Sequence, residues 1–214
     1  MKKIGFFLFC LCFSVLSVWA QDEESDEKGF KKENLFTGGS VTLSFFNGQT
    51  VLGANPVFGY KLSDWADAGL ALNFLYNGQR DYYEFDDKIR QTVVGPGVFA
   101  RLYPVRFLFV QGQFEHNFIT LKYIPRPGSV NYISDKLKTD VSSLLLGAGF
   151  AQGRDPGSNT FYYISLLFDV LKNTNSPYVN VKYDPNDPST QRVTMAPIIR
   201  AGVNIGLFQG RYDR

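Results

Sequence analysis

From Leu35 onward, apolar and polar positions alternate with a period of two, and the alternation runs almost to the end of the chain. That period places successive side chains on opposite faces of an extended strand. It predicts eight strands, at 35–46, 49–62, 66–77, 91–103, 106–119, 141–151, 160–171 and 193–208. Each is long enough to cross a bilayer as a tilted strand, which takes about 9–11 residues. The more apolar face of the eight segments contains no Asp, Glu, Lys or Arg, although the chain is 20% charged. The other face collects glycines, among them Gly59, Gly97, Gly149 and Gly202, and polar residues such as Ser40, Asn55, Asn73, Gln111, Gln113 and Asn204. It also carries six charges: Lys61, Asp67, Arg101, Glu115, Asp169 and Arg200.

A soluble barrel with its apolar face inside would share this alternation. It would then expose a glycine-rich, sparsely charged face to water, a poor solvent surface. A narrow lumen, by contrast, needs small side chains for room. The predicted architecture is therefore all-β: an eight-stranded antiparallel up-and-down transmembrane β-barrel, apolar outside and polar inside.

Connection lengths agree. Short turns at Ser63–Trp65, Pro104–Val105 and Gln152–Asn159 are expected at the periplasmic end. Asn47-Gly48 and the longer loops 78–90, 120–140 and 172–192 are expected outside. Asn47-Gly48 is a strong signal for a two-residue type I′ turn, which would set Ser44 opposite Val51, Thr42 opposite Gly53 and Ser40 opposite Asn55. Aromatics gather near strand ends, with Phe45, Tyr76 and Phe118 above and Trp65, Tyr103, Phe150, Tyr162 and Phe208 below, as expected of interfacial girdles. Phe99, Phe107, Phe109 and Tyr163 are expected to add bulk to the lumen.

Residues 1–20 change the compartment. Lys2 and Lys3 precede an apolar run from Ile4 to Val18, then Val18-Trp19-Ala20 and an acidic stretch, which reads as a secretory signal peptide. Residues 21–34 read as an acidic leader, 35–208 as the barrel and 209–214 as a C-terminal tail. Cys10 and Cys12 both lie in the signal, so the exported chain is expected to have no thiol. Without Lys2 and Lys3, 20 basic residues face 20 acidic ones, so there is no electrostatic case for nucleic acid.

Pro56-Val57-Phe58-Gly59-Tyr60-Lys61-Leu62-Ser63-Asp64, followed by Ala68-Gly69-Leu70-Ala71-Leu72, resembles the second hairpin of small bacterial outer-membrane β-barrel domains. Gly95-Pro96-Gly97-Val98-Phe99-Ala100-Arg101-Leu102-Tyr103 likewise resembles that family's fourth strand and turn. The resemblance spans 35–208 and implies a Gram-negative outer membrane. The family includes porin-like barrels, adhesins and PorT-type secretion accessories, so membership leaves the function open. Such barrels often end on an aromatic residue, whereas Phe208 is followed by Gln209 to Arg214.

Candidate chemistry is sparse. His116 is the one histidine, on the apolar face of the fifth strand, with Phe114 and Phe118 rather than serine two residues to either side. That arrangement argues against a Ser–His hydrolase and for a girdle histidine. Asp184-Pro185-Asn186-Asp187-Pro188 lacks the ligand spacing of a calcium loop, so no metal and no cofactor are expected. Tyr82, Tyr83, Tyr123, Tyr132, Tyr178 and Tyr183 suit either a contact surface or packing above the barrel. Pro56, Pro96 and Pro197 interrupt strands.

The inward charges are expected to neutralise one another in two layers: Lys61, Asp67 and Arg101 near the periplasmic mouth, and Arg200 with Glu115 or Asp169 higher up. The expected role is non-enzymatic: a monomer among outer-membrane lipid and lipopolysaccharide, meeting partners through loops 78–90, 120–140 and 172–192. A lipid-modifying enzyme and a secretion accessory are the alternatives.

Overall fold

The computed structural model describes residues 30–46, 49–81, 85–129, 135–155, 157–183 and 191–209. The expected signal peptide, most of the leader, the Asn47-Gly48 turn, Tyr82, Tyr83, Tyr132, the 184–188 motif and the tail beyond Gln209 lie outside those residues.

Among the described residues ten strands form: β1 (Leu35–Phe46), β2 (Gln49–Ser63), β3 (Ala66–Arg80), β4 (Lys88–Val105), β5 (Leu108–Ile124), β6 (Asp135–Gln152), β7 (Phe161–Asp169), β8 (Val179–Tyr183), β9 (Gln191–Met195) and β10 (Ile198–Gly206). Eight of them close an antiparallel barrel in the order β1-β10-β7-β6-β5-β4-β3-β2, while β8 and β9 pair with each other. The barrel is closed by β1 against β10, from Phe36 opposite Gly206 to Val41 opposite Ala201. Ser44 faces Val51, Thr42 faces Gly53 and Ser40 faces Asn55, the register expected of a two-residue connection.

Several boundaries differ from the sequence expectation, for physical reasons. The eighth predicted strand, 193–208, is two strands: Gln191–Met195 belongs to the outer hairpin, and Ile198–Gly206 to the barrel. Pro197 stands at the break, and its missing N–H cannot extend the ladder. The ladders of β3 to β6 run on to Arg80, Lys88, Ile124 and Asp135, well into the loops expected at 78–90 and 120–140. Backbone pairing continues there after the apolar alternation has stopped. At the other end, β4 runs on to Val105, so the turn expected at Pro104–Val105 falls at Arg106-Phe107.

Two prolines inside the barrel cost ladder bonds. Pairing lapses at Asn55-Pro56 between β2 and β3, and at Gly95-Pro96 between β4 and β5. The first gap is repaired locally. Leu72 stands opposite Pro56, and its carbonyl accepts a hydrogen bond from Asn55 Nδ2 at 2.8 Å.

The faces sort as the alternation demands. Val41, Leu70 and Ile199 are 68%, 62% and 60% exposed, whereas Arg101 and Glu115 are 1% and 0% exposed. A closed barrel with charge inside and a continuous apolar wall outside is a transmembrane barrel, because such a wall far exceeds what a soluble surface carries. Leu108 to Phe118 on β5 spans about 25 Å of height for a strand tilted by about 40°, the thickness of the apolar band. Trp65, Phe150, Tyr162 and Phe208 lie exposed at the short-turn end of the barrel.

Two expected positions are exchanged. Tyr103 is not in the girdle but buried in the lumen, while Phe107 is not luminal but exposed, tilted against Phe150 at 6.0 Å. The short Arg106-Phe107 turn frees Phe107 to face lipid, and Tyr103 shares the inward parity of Phe99 and Arg101.

Inside, the third nearest the short turns is an aromatic floor of Tyr103, Phe109, Phe161 and Tyr163, beside a second cluster of Phe36, Val57, Ala71 and Phe99. Glycines make room for it: a Cβ on Gly59 would run into the Phe36 ring, and one on Gly149 into Phe109. Eight strands with so filled an interior leave no open edge for detergent. The folded protein should therefore migrate faster in SDS gels unheated than boiled. Equal mobility of the two samples, with the protein recovered in a soluble fraction, would overturn the membrane barrel.

Candidate functional site

β5 carries Gln111, Gln113, Glu115 and Asn117 at alternate positions, so one strand face projects four polar side chains into the lumen. They bond to one another up the strand. Gln111 Nε2 donates to Gln113 Oε1 (2.9 Å), Gln113 Nε2 to Glu115 Oε1 (2.7 Å) and Asn117 Nδ2 to Glu115 Oε2 (3.1 Å). Arg200 from β10 reaches across the lumen to this ladder. Its Nη2 meets Glu115 Oε1 at 3.0 Å, and its Nη1 donates to Asn55 Oδ1 and Gln113 Oε1, both at 3.1 Å. The expected Arg200–Glu115 pair is thus present, with both side chains almost fully buried.

The second carboxylate offered to Arg200 goes elsewhere. Asp169 Oδ1 accepts the amides of Leu144 (3.2 Å) and Leu171 (3.1 Å), and Oδ2 accepts Ser176 Oγ at 2.6 Å. It closes the end of β7 and pins the connector that follows. That connector enters the barrel. Tyr178, expected either at a contact surface or packed above the barrel, is 5% exposed inside it; its hydroxyl donates to Glu115 Oε2 at 2.9 Å and accepts from Asn73 Nδ2 at 2.7 Å. Tyr123 is also inside, donating to Asp87 at 2.9 Å.

The lower charge layer sits where expected but pairs differently. Lys61 faces Asp67 in register, and Asp67 faces Arg101, yet neither forms the expected pair. Lys61 turns to Asp64 at 2.7 Å and holds that carboxyl below the usual carboxylate range, by hydrogen bond and by charge. Asp67 pairs with Arg154 at 3.1 Å, and Arg154 also donates to the Asp64 carbonyl and lies 3.7 Å from the Tyr103 ring centre. Arg101 donates to Gln111 (2.9 Å) and Asn204 (3.2 Å) and is surrounded by the rings of Phe99, Phe109 and Tyr163, 4.4–5.3 Å away. Cation–π contact stands in for a counter-ion there. Arg154 was missed because it lies in a turn, where alternation assigns no face.

Outside the barrel, the register brings together what one strand alone does not. His116 stands opposite Ser142 and Phe118 opposite Asp140. His116 Nδ1 lies 3.1 Å from Ser142 Oγ, and Nε2 lies 3.6 Å from Asp140 Oδ2. The fifth strand itself offers no serine two residues to either side of this histidine; the cross-strand register supplies one from β6. The ring also meets Phe118 edge-on at 5.0 Å. Among the described residues no cluster of His, Cys, Asp and Glu is arranged to hold a metal ion.

No protein-family model matches the sequence, and no curated protein matches it. Solved structures do resemble it in fold. Ail of Yersinia pestis, in complex with the heparin analogue sucrose octasulfate, aligns with a TM-score of 0.45 at 10% identity over 80% of this chain and 94% of that one. The N-terminal β-barrel domain of Pseudomonas aeruginosa OprF gives 0.33 at 13%, over 80% and 95%. Ail in a phospholipid bilayer nanodisc gives 0.33 at 15%, over 80% and 98%.

The luminal pair yields a stability prediction. Glu115→Ala strands the Arg200 guanidinium in a buried site and should destabilise the barrel by about 3–5 kcal/mol. Replacing both residues with methionine should recover much of that loss. Urea unfolding in lipid vesicles measures both; a neutral effect of Glu115→Ala would mean that the pair is not buried.

Proposed function

We propose that the protein is a closed, non-conducting barrel of the outer membrane, working through contacts made by its extracellular face rather than through its lumen. The observation that carries this reading is the engaged lumen. Glu115, Arg200, Asn55, Gln113 and Tyr178 bond to one another across its middle, and the Tyr178 connector is fastened at Asp169. The strands β3 to β6, in turn, extend past the lipid-facing belt and carry connections outward. At one tip Phe85 is 82% exposed, an aromatic ring with no cover from the barrel. Apolar rings at a polar tip are what contact surfaces use.

Purified protein in planar bilayers should give at most small, intermittent conductance; a large and stable one would sink the closed-lumen reading. For the contact reading, a photo-crosslinker replacing Phe85 in native membranes should capture a discrete protein or glycan product. Labelling of lipid alone would overturn it.

A lipid-modifying enzyme is the second reading, favoured by His116 lying between Ser142 and Asp140 on the lipid-facing wall. In such a site Ser142 Oγ attacks an acyl ester carbonyl while His116 takes its proton and returns it to the leaving alcohol. Water then repeats the sequence and releases the fatty acid. Acyl release from phospholipid vesicles that is lost in Ser142→Ala would support it; equal rates in the two proteins would eliminate it.

A further inference from the structure

On the outward face of β3 to β6, the residues beyond the apolar belt are mostly basic. Cross-strand pairing puts Arg90 opposite Lys122 and Lys122 opposite Lys136, three cations in one row. Arg80 stands opposite Lys88 in the row above, and Lys138 opposite Thr120 in the row below. Arg80, Arg90, Lys122, Lys136 and Lys138 are exposed, and Lys88 is half-buried. Among the described residues, the acids on or beside this wall are Asp140, beside His116, Asp86, 4.0 Å from Lys88, and the exposed Asp81 and Asp135, next in sequence to Arg80 and Lys136. Among the described residues, no salt bridge reaches Arg90, Lys122, Lys136 or Lys138.

Like charges placed directly opposite one another destabilise a sheet. A row of three, flanked by more, calls for an anion to neutralise it. Its height identifies the class of anion. The rows directly beneath are Thr92–Thr120 and then Val94–Phe118, and Phe118 faces lipid. Four residues of tilted strand raise Lys122 about 10 Å above Phe118, so its long stem can reach down into the headgroup layer. Beside the row, Thr50, Tyr76, Gly78, Arg80, Lys88 and Arg90 line a recess of about 300 Å³.

We propose that this basic wall is a binding site for the phosphorylated headgroup of an outer-leaflet glycolipid, whose acyl chains lie along Val94, Phe114 and Phe118. A soluble polyanion would use the cations alone; a phosphorylated lipid uses the cations and the apolar rows below them. The inference rests on the membrane orientation adopted above, with the ends of β3 to β6 outside.

Native mass spectrometry of the detergent-solubilised full chain tests it, with three probes: diphosphoryl lipid A, the same lipid stripped of phosphate, and inorganic pyrophosphate. Diphosphoryl lipid A should bind, more weakly as salt rises. At about fivefold per surface cation, Arg90→Gln, Lys122→Gln and Lys136→Gln together should weaken it by about 100-fold. Equal binding of the stripped lipid, pyrophosphate binding as tightly as the lipid, or an unaffected triple variant would each overturn the proposal. If the triple variant fails to fold, Lys122→Gln alone and the stripped lipid decide. Heat-modifiable migration, measured on the same samples, reports separately on the barrel itself.

Discussion

A guanidinium and a carboxylate, Arg200 and Glu115, lie buried side by side at mid-lumen, and much of the surrounding polar structure serves them. Taking two charges out of water is offset only when the remaining donors and acceptors also find partners. Asn55, Gln113, Asn117, Asn73 and Tyr178 supply those partners from β2, β5, β3 and the connector after β7. The pair therefore ties together strands that share no ladder, and it explains why an outer connection turns inward. Asn55 serves twice, through its carbonyl oxygen to Arg200 and through its amide to the carbonyl that Pro56 cannot satisfy.

In a bilayer the hydrophobic effect does not hold a barrel shut, because lipid tails cover apolar side chains as well as protein does. Closure comes from the hydrogen-bond ladders and from the luminal packing. The lumen divides accordingly into an aromatic floor, where Arg101 sits among rings, a polar middle, and an upper apolar cluster of Val93, Ile119 and Val141. With the interior committed to structure, chemistry that engages other molecules is left to the outer wall and the strand ends. There the barrel places His116, Ser142 and Asp140 together just below a row of cations.

The alternation of side chains specified the fold class and the inward placement of Asp67, Arg101, Glu115, Asp169 and Arg200, and the Asn47-Gly48 signal specified the register of the first hairpin. Each is a local property, which neighbours along one chain reveal. The Arg200–Glu115 pair was legible too, because both residues lie at similar distances from the short-turn ends of their strands and a narrow lumen brings such charges together. The neutral partners were not, since Asn55, Asn73 and Gln113 become significant only through what faces them across the lumen.

What the tertiary structure decided were contacts between elements distant in sequence. Arg154, from a turn, takes Asp67 away from Lys61 and Arg101. Tyr178 is drawn into the lumen because Asp169 and Ser176 anchor its connector. Ser142 reaches His116 from the neighbouring strand, 26 residues away along the chain. The sequence by itself determines which face each strand residue takes, because that is a local property of extended backbone. Barrel closure and cross-strand register determine which residues meet, because those depend on how all eight strands pair at once.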